Sequence, residues 1–198
     1  MENLWSELFS GRERLSDGAM AVLEERGAEV VHILETMAGA SELWSPNSEG
    51  GGLTPVHAVR ALIRLKAEGA VGPLLEIVAT ADPEEAVFGE AMDGLASLAP
   101  RVRREILTYA SREADLETAV FLSEILASGR RDERVFKFLT SLFHRTTWLD
   151  GKEVVAGSLA AYGDRRALPI LEEALRENSG RDAYQEEELR RAIAKLKG

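Results

Sequence analysis

YGDRRALPILEEAL, residues 162–175, closes one helix, turns on a run of charged residues and opens a second helix whose apolar positions recur at helical spacing. Outward from this stretch the same arrangement returns. Leu159 and Tyr162, three residues apart near the end of the first helix, have counterparts in Leu62 and Leu65, Leu95 and Leu98, Ile125 and Ser128, and Ile193 and Leu196. The steps between first members are 33, 30, 34 and 34 residues. After each pair but the last come a turn and a second apolar helix, expected at Val71–Val78, Val102–Tyr109, Val135–Phe143 and Ala167–Leu175. Ser128 is the weakest match, and it sits beside Gly129, where its helix ends. Two helices per unit at a period in the thirties predict an α-solenoid, because each pair has apolar residues facing both its partner and the next pair.

Residues 162–175 resemble a HEAT repeat, especially the short bacterial type also found in phycobilisome lyase relatives. PVHAVRALIRL (55–65), followed by GAVGPLL (69–75), has the same form. Pro73 and Pro169 fall where such repeats often carry a proline in the second helix. The resemblance covers residues 54–197, with the two middle units degenerate. It implies an all-α, HEAT-like solenoid of stacked antiparallel helix pairs and is nearly silent on function. Residues 44–75 are also similar to bacterial HEAT-like proteins that carry a cysteine-rich SEC-C metal module. This chain has no cysteine, so nothing about metal carries over.

Composition agrees with a helical reading. Hydrophobic residues make up 45% of the 198, aromatics only 6%, and Ala, Leu, Glu and Arg dominate over β-branched runs. The absence of cysteine rules out disulfides and thiolate metal sites and fits a reducing compartment. The start, MENLWSELFS, has neither a basic nor an apolar region, so no signal peptide is expected. No stretch is long and apolar enough to span a bilayer, and a cytoplasmic location with no membrane partner is the expectation. A formal charge of -10 opposes bulk nucleic-acid binding.

The expected organisation is a helical N-terminal cap at 1–43, a hinge loop at 44–53, and one continuous HEAT-like array at 54–198. In the cap, Ser16-Asp17 starts a helix that Gly27 ends, and Val30 to Met37 form a second. Trp5, Leu8 and Phe9 make a short amphipathic segment before them. An acidic helix at Tyr184–Lys197 seals the other end.

The glycine run in WSPNSEGGGLTPVHAVRAL (44–62) invites a phosphate-binding reading. A Walker-type loop needs Gly-Lys-Ser/Thr at its end, whereas here no lysine follows and Glu49 brings negative charge. No strand precedes the run, as a dinucleotide fingerprint requires. Thr54-Pro55 instead reads as an N-cap followed by a proline at the first helical position. His32, His57 and His144 have no second histidine three or four residues away and no His-Glu pair of the kind found in iron-holding HEAT hydroxylases. Each is expected at a helix surface or half-buried. There is no Gly-x-Ser-x-Gly elbow either. The reading is therefore of no enzyme, no cofactor and no metal.

Charge is unevenly distributed. The segments 84–98 and 113–127 carry eight carboxylates and no Lys or Arg. Residues 100–112 and 130–145 each carry an excess of three positive charges. HEAT second helices line the concave face, so the resemblance implies a basic groove formed by Arg101, Arg103, Arg104, Arg131, Arg134 and Lys137. Arginines at helix starts oppose the helix dipole by ~0.3–1 kcal/mol, a cost that a partner would explain. The competing structural reading is that Asp132–Arg134 and Asp164–Arg166 tie neighbouring repeats, as HEAT Asp–Arg pairs do. The functional expectation is a non-catalytic protein-binding or scaffold module holding another protein, or an acidic ligand. The alternative is a nucleic-acid-associated HEAT protein, in the manner of HEAT-like DNA glycosylases, with exposed Trp or Tyr beside an acidic residue as its mark.

Overall fold

In the computed structural model, which describes residues 2–198, every regular element among the described residues is helical. The helices are α1 (Glu2–Leu8), α2 (Asp17–Arg26), α3 (Ala28–Gly39), α4 (Leu53–Arg64), α5 (Val71–Thr80), α6 (Ala86–Arg112), α7 (Leu116–Ala127), α8 (Glu133–Arg145), α9 (Leu149–Tyr162), α10 (Leu168–Asn178) and α11 (Ala183–Lys197). Their ends follow capping chemistry. The Ser16 hydroxyl accepts from the Ala19 amide at 3.1 Å to start α2, and Gly27 ends it at positive φ, as expected. Asp115, Asp132 and Asp182 open α7, α8 and α11 by accepting backbone amides in the same way. Ser128 ends α7, its hydroxyl donating to the Ile125 carbonyl, and Gly129 follows at a φ of 105°.

One expected break is absent. Glu84–Leu98 and Val102–Tyr109 are not two helices around a turn, because α6 runs unbroken through Pro100. Proline removes the amide that would bond four residues back. Here Pro100 and Ala96, whose carbonyl loses its donor, are both exposed, so the defect lies on the solvent side where it costs least. Leu95, Leu98, Ala99, Val102 and Ile106 meanwhile form one uninterrupted buried stripe on the other side.

The chain divides into two compact units, Met1–Glu105 and Ile106–Gly198, with the boundary inside α6. In the first, α4 is the central element, and α1, α2 and α3 pack on it, while α3 also meets α5. Leu8, Leu23, Leu34, Leu62, Leu74, Ile77 and Leu95 are fully buried there. Gly94 makes the close approach of α6 possible, since a Cβ at that position would lie 3.1 Å from both Ile63 Cδ1 and Leu74 Cδ1. Arg60 and Glu90 form an ion pair between α4 and α6.

Residues 44–53 lie within this first unit and are bonded internally. The amides of Ser48, Gly51 and Leu53 donate to the carbonyls of Ser45, Ser48 and Gly50. The Trp44 indole donates to the Ala38 carbonyl at 3.1 Å. Gly50, Gly51 and Gly52 all have positive φ, and a Cβ on Gly52 would come within 2.8 Å of the Trp44 carbonyl oxygen. α4 starts one residue before Thr54, so Thr54 is not its cap. Its buried hydroxyl donates instead to the Leu8 carbonyl at 3.2 Å, fastening α4 to the end of α1.

In the second unit α9 is central, packed against α7, α8 and α11, with α10 lying on α11. Leu122, Leu126, Leu139, Phe143, Val155, Leu159 and Leu171 form its core. Ser123 and Ser158 share a buried hydrogen bond of 2.9 Å between α7 and α9. Leu62, Leu95, Ile125, Leu159 and Ile193, the first members of the recurring pairs, are all buried.

Candidate functional site

The basic residues expected to line one groove fall in both units. Arg101, Arg103 and Arg104 lie in the first, Arg131, Arg134 and Lys137 in the second. Because α6 is continuous, the first three sit in a helix interior and carry no dipole penalty, which removes that part of the sequence argument. Arg101 and Arg104 are exposed and Arg103 is half-buried.

In the second unit the arginines belong to a connected structure. The Arg131 guanidinium donates to the Gly163 carbonyl at 2.8 Å, and that of Arg165 donates to the Lys197 carbonyl at 3.3 Å. Donors and acceptors are each 34 residues apart, so one contact is made twice in the same register. Asp132 caps α8 through the Arg134 amide at 2.9 Å and grips the Arg134 side chain at 2.6 Å. Asp164 repeats this with Arg166, at 3.0 Å to the amide and 2.7 Å to the guanidinium. Arg166 also reaches Glu133 at 2.8 Å and stands 4.2 Å above the Phe136 ring, which stacks on Tyr162. The Tyr162 hydroxyl accepts from the Asp132 amide and donates to the Asp132 carbonyl at 2.8 Å.

These contacts set the charge states. Hydrogen bonds from Arg166 hold both Asp164 and Glu133 below the usual carboxylate range, and the two carboxylates in turn push Arg166 upward. Arg134 is raised by its bond to Asp132. Of the second triplet, Arg131 and Arg134 are thus engaged within the turn structure, while Lys137 is exposed. The Asp–Arg pairing seen in the sequence is real, but only Arg166 of the two arginines carries it across to the preceding turn.

At the N-terminal end of α9 a cleft opens between the start of that helix, α10 and the start of α11. It consists of adjoining hollows of about 230 and 220 Å³ that share Lys152, Ala174 and Glu177. Phe143 and His144 line one hollow, and Asn178, Arg181 and Leu189 the other. The Lys152 ammonium stands 5.3 Å over the Phe143 ring. Trp148, Leu149 and Tyr184, neighbours in sequence of cleft-lining residues, are exposed. The Trp148 indole lies against Gly151, where any Cβ would come within 2.2 Å of the ring.

Two titratable groups went unnoticed or misplaced in the sequence reading. Glu153, on α9, has Oε1 buried without a hydrogen-bond partner. Burial, then the charges of Asp150, Glu188 and Asp182, push its carboxyl above the ordinary glutamate value. His57 is fully buried, not at a surface, whereas His32 and His144 are exposed as expected. Its neighbours along α4, Val56, Ala58, Val59, Ala61 and Leu62, are all buried, so α4 is enclosed almost all round and periodicity could not place the histidine. Among the described residues no three His, Asp or Glu groups are arranged to hold a metal ion, and no helix is long and apolar enough to cross a membrane. No protein-family model, curated protein or solved structure matches the chain.

Proposed function

We propose that the chain is a HEAT-like array of helix pairs that works as a non-catalytic, cytoplasmic protein-binding module. The observation that carries the reading is the contact made twice at a spacing of 34 residues, Arg131 to the Gly163 carbonyl and Arg165 to the Lys197 carbonyl. A repeated tie in constant register is what stacked equivalent units require, because each unit presents the next with the same donor and the same acceptor. The side-by-side packing of α7, α9 and α11, the alternate helices of the second unit, supports the same reading. Binding follows from the resemblance, since arrays of this kind offer long surfaces rather than enclosed reaction centres.

The partner is an acidic protein surface held by basic side chains of the second unit. Lys137 is exposed there, and Arg131 and Arg134 contribute charge from their fixed positions. The experiment is affinity capture by tagged protein across a salt series, comparing wild type with the K137E variant. The variant retains its melting temperature and loses at least tenfold of the specifically captured partner at low salt, because exposed charges steer association over a Debye length of about 8 Å. Equal capture by the folded variant refutes the basic surface.

A second reading has one observation in its favour. Trp148 and Tyr184 are exposed, and each is next in sequence to a residue lining the cleft that holds Lys152, Arg181 and Glu177; bases of a nucleic acid can stack on side chains of this kind. Saturable binding of fluorescent single-stranded DNA that falls steeply with salt and is lost in Trp148→Ala favours this alternative over the protein module.

A further inference from the structure

His57 is the one histidine sealed in the interior, and its surroundings connect it to a particular part of the chain. Its side chain has no solvent exposure, and neither ring nitrogen completes a hydrogen bond. The backbone of Arg12, in the segment between α1 and α2, approaches the ring. One turn further along α4, Arg60 donates to the Glu13 carbonyl at 2.7 Å and pairs with Glu90 on α6. The same segment is fastened at its ends, by Thr54 to the Leu8 carbonyl and by Glu7 to the Ser16 amide and hydroxyl. Residues 9–16 are therefore a strap across α4 with the imidazole beneath it.

We propose that His57 is a proton-operated release for this strap. A neutral imidazole is tolerated in an apolar surrounding, but an imidazolium without a partner is not. The charged groups that act on the ring are Arg60, which repels a cation, and Glu90, which attracts one but is already paired with Arg60. Glu7 on α1 holds Ser16, Glu24 on α2 holds Arg64, and Glu35 on α3 lies by His32. A proton on His57 thus finds none of these carboxylates free, and only the Arg12 backbone to meet it. The smallest movement that hydrates the ring is displacement of Arg12 and Glu13, which are themselves exposed and are tied to α4 by the bond from Arg60 to the Glu13 carbonyl. The direction of titration agrees, since burial holds the ring's pKa below the ordinary histidine value and outweighs the Arg12 backbone, which pulls it up. The neutral form is accordingly favoured in the closed state. Closure is complete above about pH 6.5 and weakens as pH falls below it.

Hydrogen exchange of the intact protein, corrected for intrinsic rates, tests the release between pH 7.5 and 5.0. The amides of residues 9–16 lose at least tenfold in protection over this range while those of α8 to α11 do not, and His57→Leu removes the pH dependence. Uniform loss across the chain, no loss in the strap, or the same loss in His57→Leu overturns the proposal. Should His57→Leu fail to fold, the wild-type protein still decides by NMR. The ring signal of His57 and the amides of Arg12 and Glu13 titrate with one midpoint, below the ordinary histidine value. A His57 titration to which those amides do not respond overturns it equally.

Discussion

Removing a single oxygen by Tyr162→Phe probes the tie between the α7–α8 turn and the end of α9. The hydroxyl is buried with its residue and makes two bonds to one partner, accepting from the Asp132 amide and donating to the Asp132 carbonyl. The ring keeps its stacking on Phe136, 6.4 Å between centroids, so little apolar contact is lost. The Asp132 carbonyl also retains the Phe136 amide at 3.1 Å. The substitution thus removes two hydrogen bonds worth a net ~0.5–1.5 kcal/mol each, and stability falls by about 1–3 kcal/mol. A loss of about 2 kcal/mol lowers the melting temperature by about 4–8 °C in a chain of this length. Urea unfolding followed by circular dichroism measures it, with an unchanged dependence on denaturant showing that the folded and unfolded states are otherwise the same. A shift within about 0.3 kcal/mol of zero refutes the reasoning, because the turn would then hold its place without the hydroxyl.

Glu153→Gln is expected to stabilise the protein at neutral pH. A carboxyl whose folded pKa is raised opposes folding once ionised, so the gain is present above that value and vanishes below about pH 4.3, where the wild-type group is neutral in both states. Thermal melts from pH 3.5 to 8 check this, and a constant difference over the range contradicts the desolvation argument. Leu95→Ala, at a fully buried position in the first unit, should cost about 2–5 kcal/mol in chemical denaturation through lost burial and a cavity. Gly151→Ala should drive the indole of Trp148 off α9, seen as a change in tryptophan emission that is absent when the same substitution is made in Trp148→Phe.

The all-helical architecture was legible because its signals are local. The cap at Ser16 and the apolar spacing of Leu159 or Leu62 are written within a turn or two of where they act. Pro100 misled because sequence gives its backbone cost but not the side of the helix on which that cost falls. Thr54 misled because its chemistry suits a cap, yet its hydroxyl serves the carbonyl of Leu8, 46 residues earlier. The charged turns were partly readable. Asp164 and Arg166 are two residues apart and could be paired on sight, whereas Glu133, the more distant partner of Arg166, and Tyr162, the partner of Asp132, lie 33 and 30 residues away from their counterparts. Glu153 carried no signal at all, since one glutamate among 34 acidic residues becomes distinctive only when its oxygen is buried beside three others.

Growth by tandem duplication is written into the spacing of the arginine contacts. Residues 149–182 comprise 34 positions, from the first residue of α9 to the cap of α11. Copied once in place, they would put a second Gly163 where Lys197 now stands relative to Arg165, and a second Arg165 within the same reach of the displaced Lys197. Every new guanidinium would meet a new carbonyl, with none left over at either seam. α11 would still follow the last copied stretch, with its Glu187–Arg191 pair turned to water. A recombination slip of this length would lengthen the chain without opening it, while a slip of a few residues more or fewer would set an arginine against the wrong backbone.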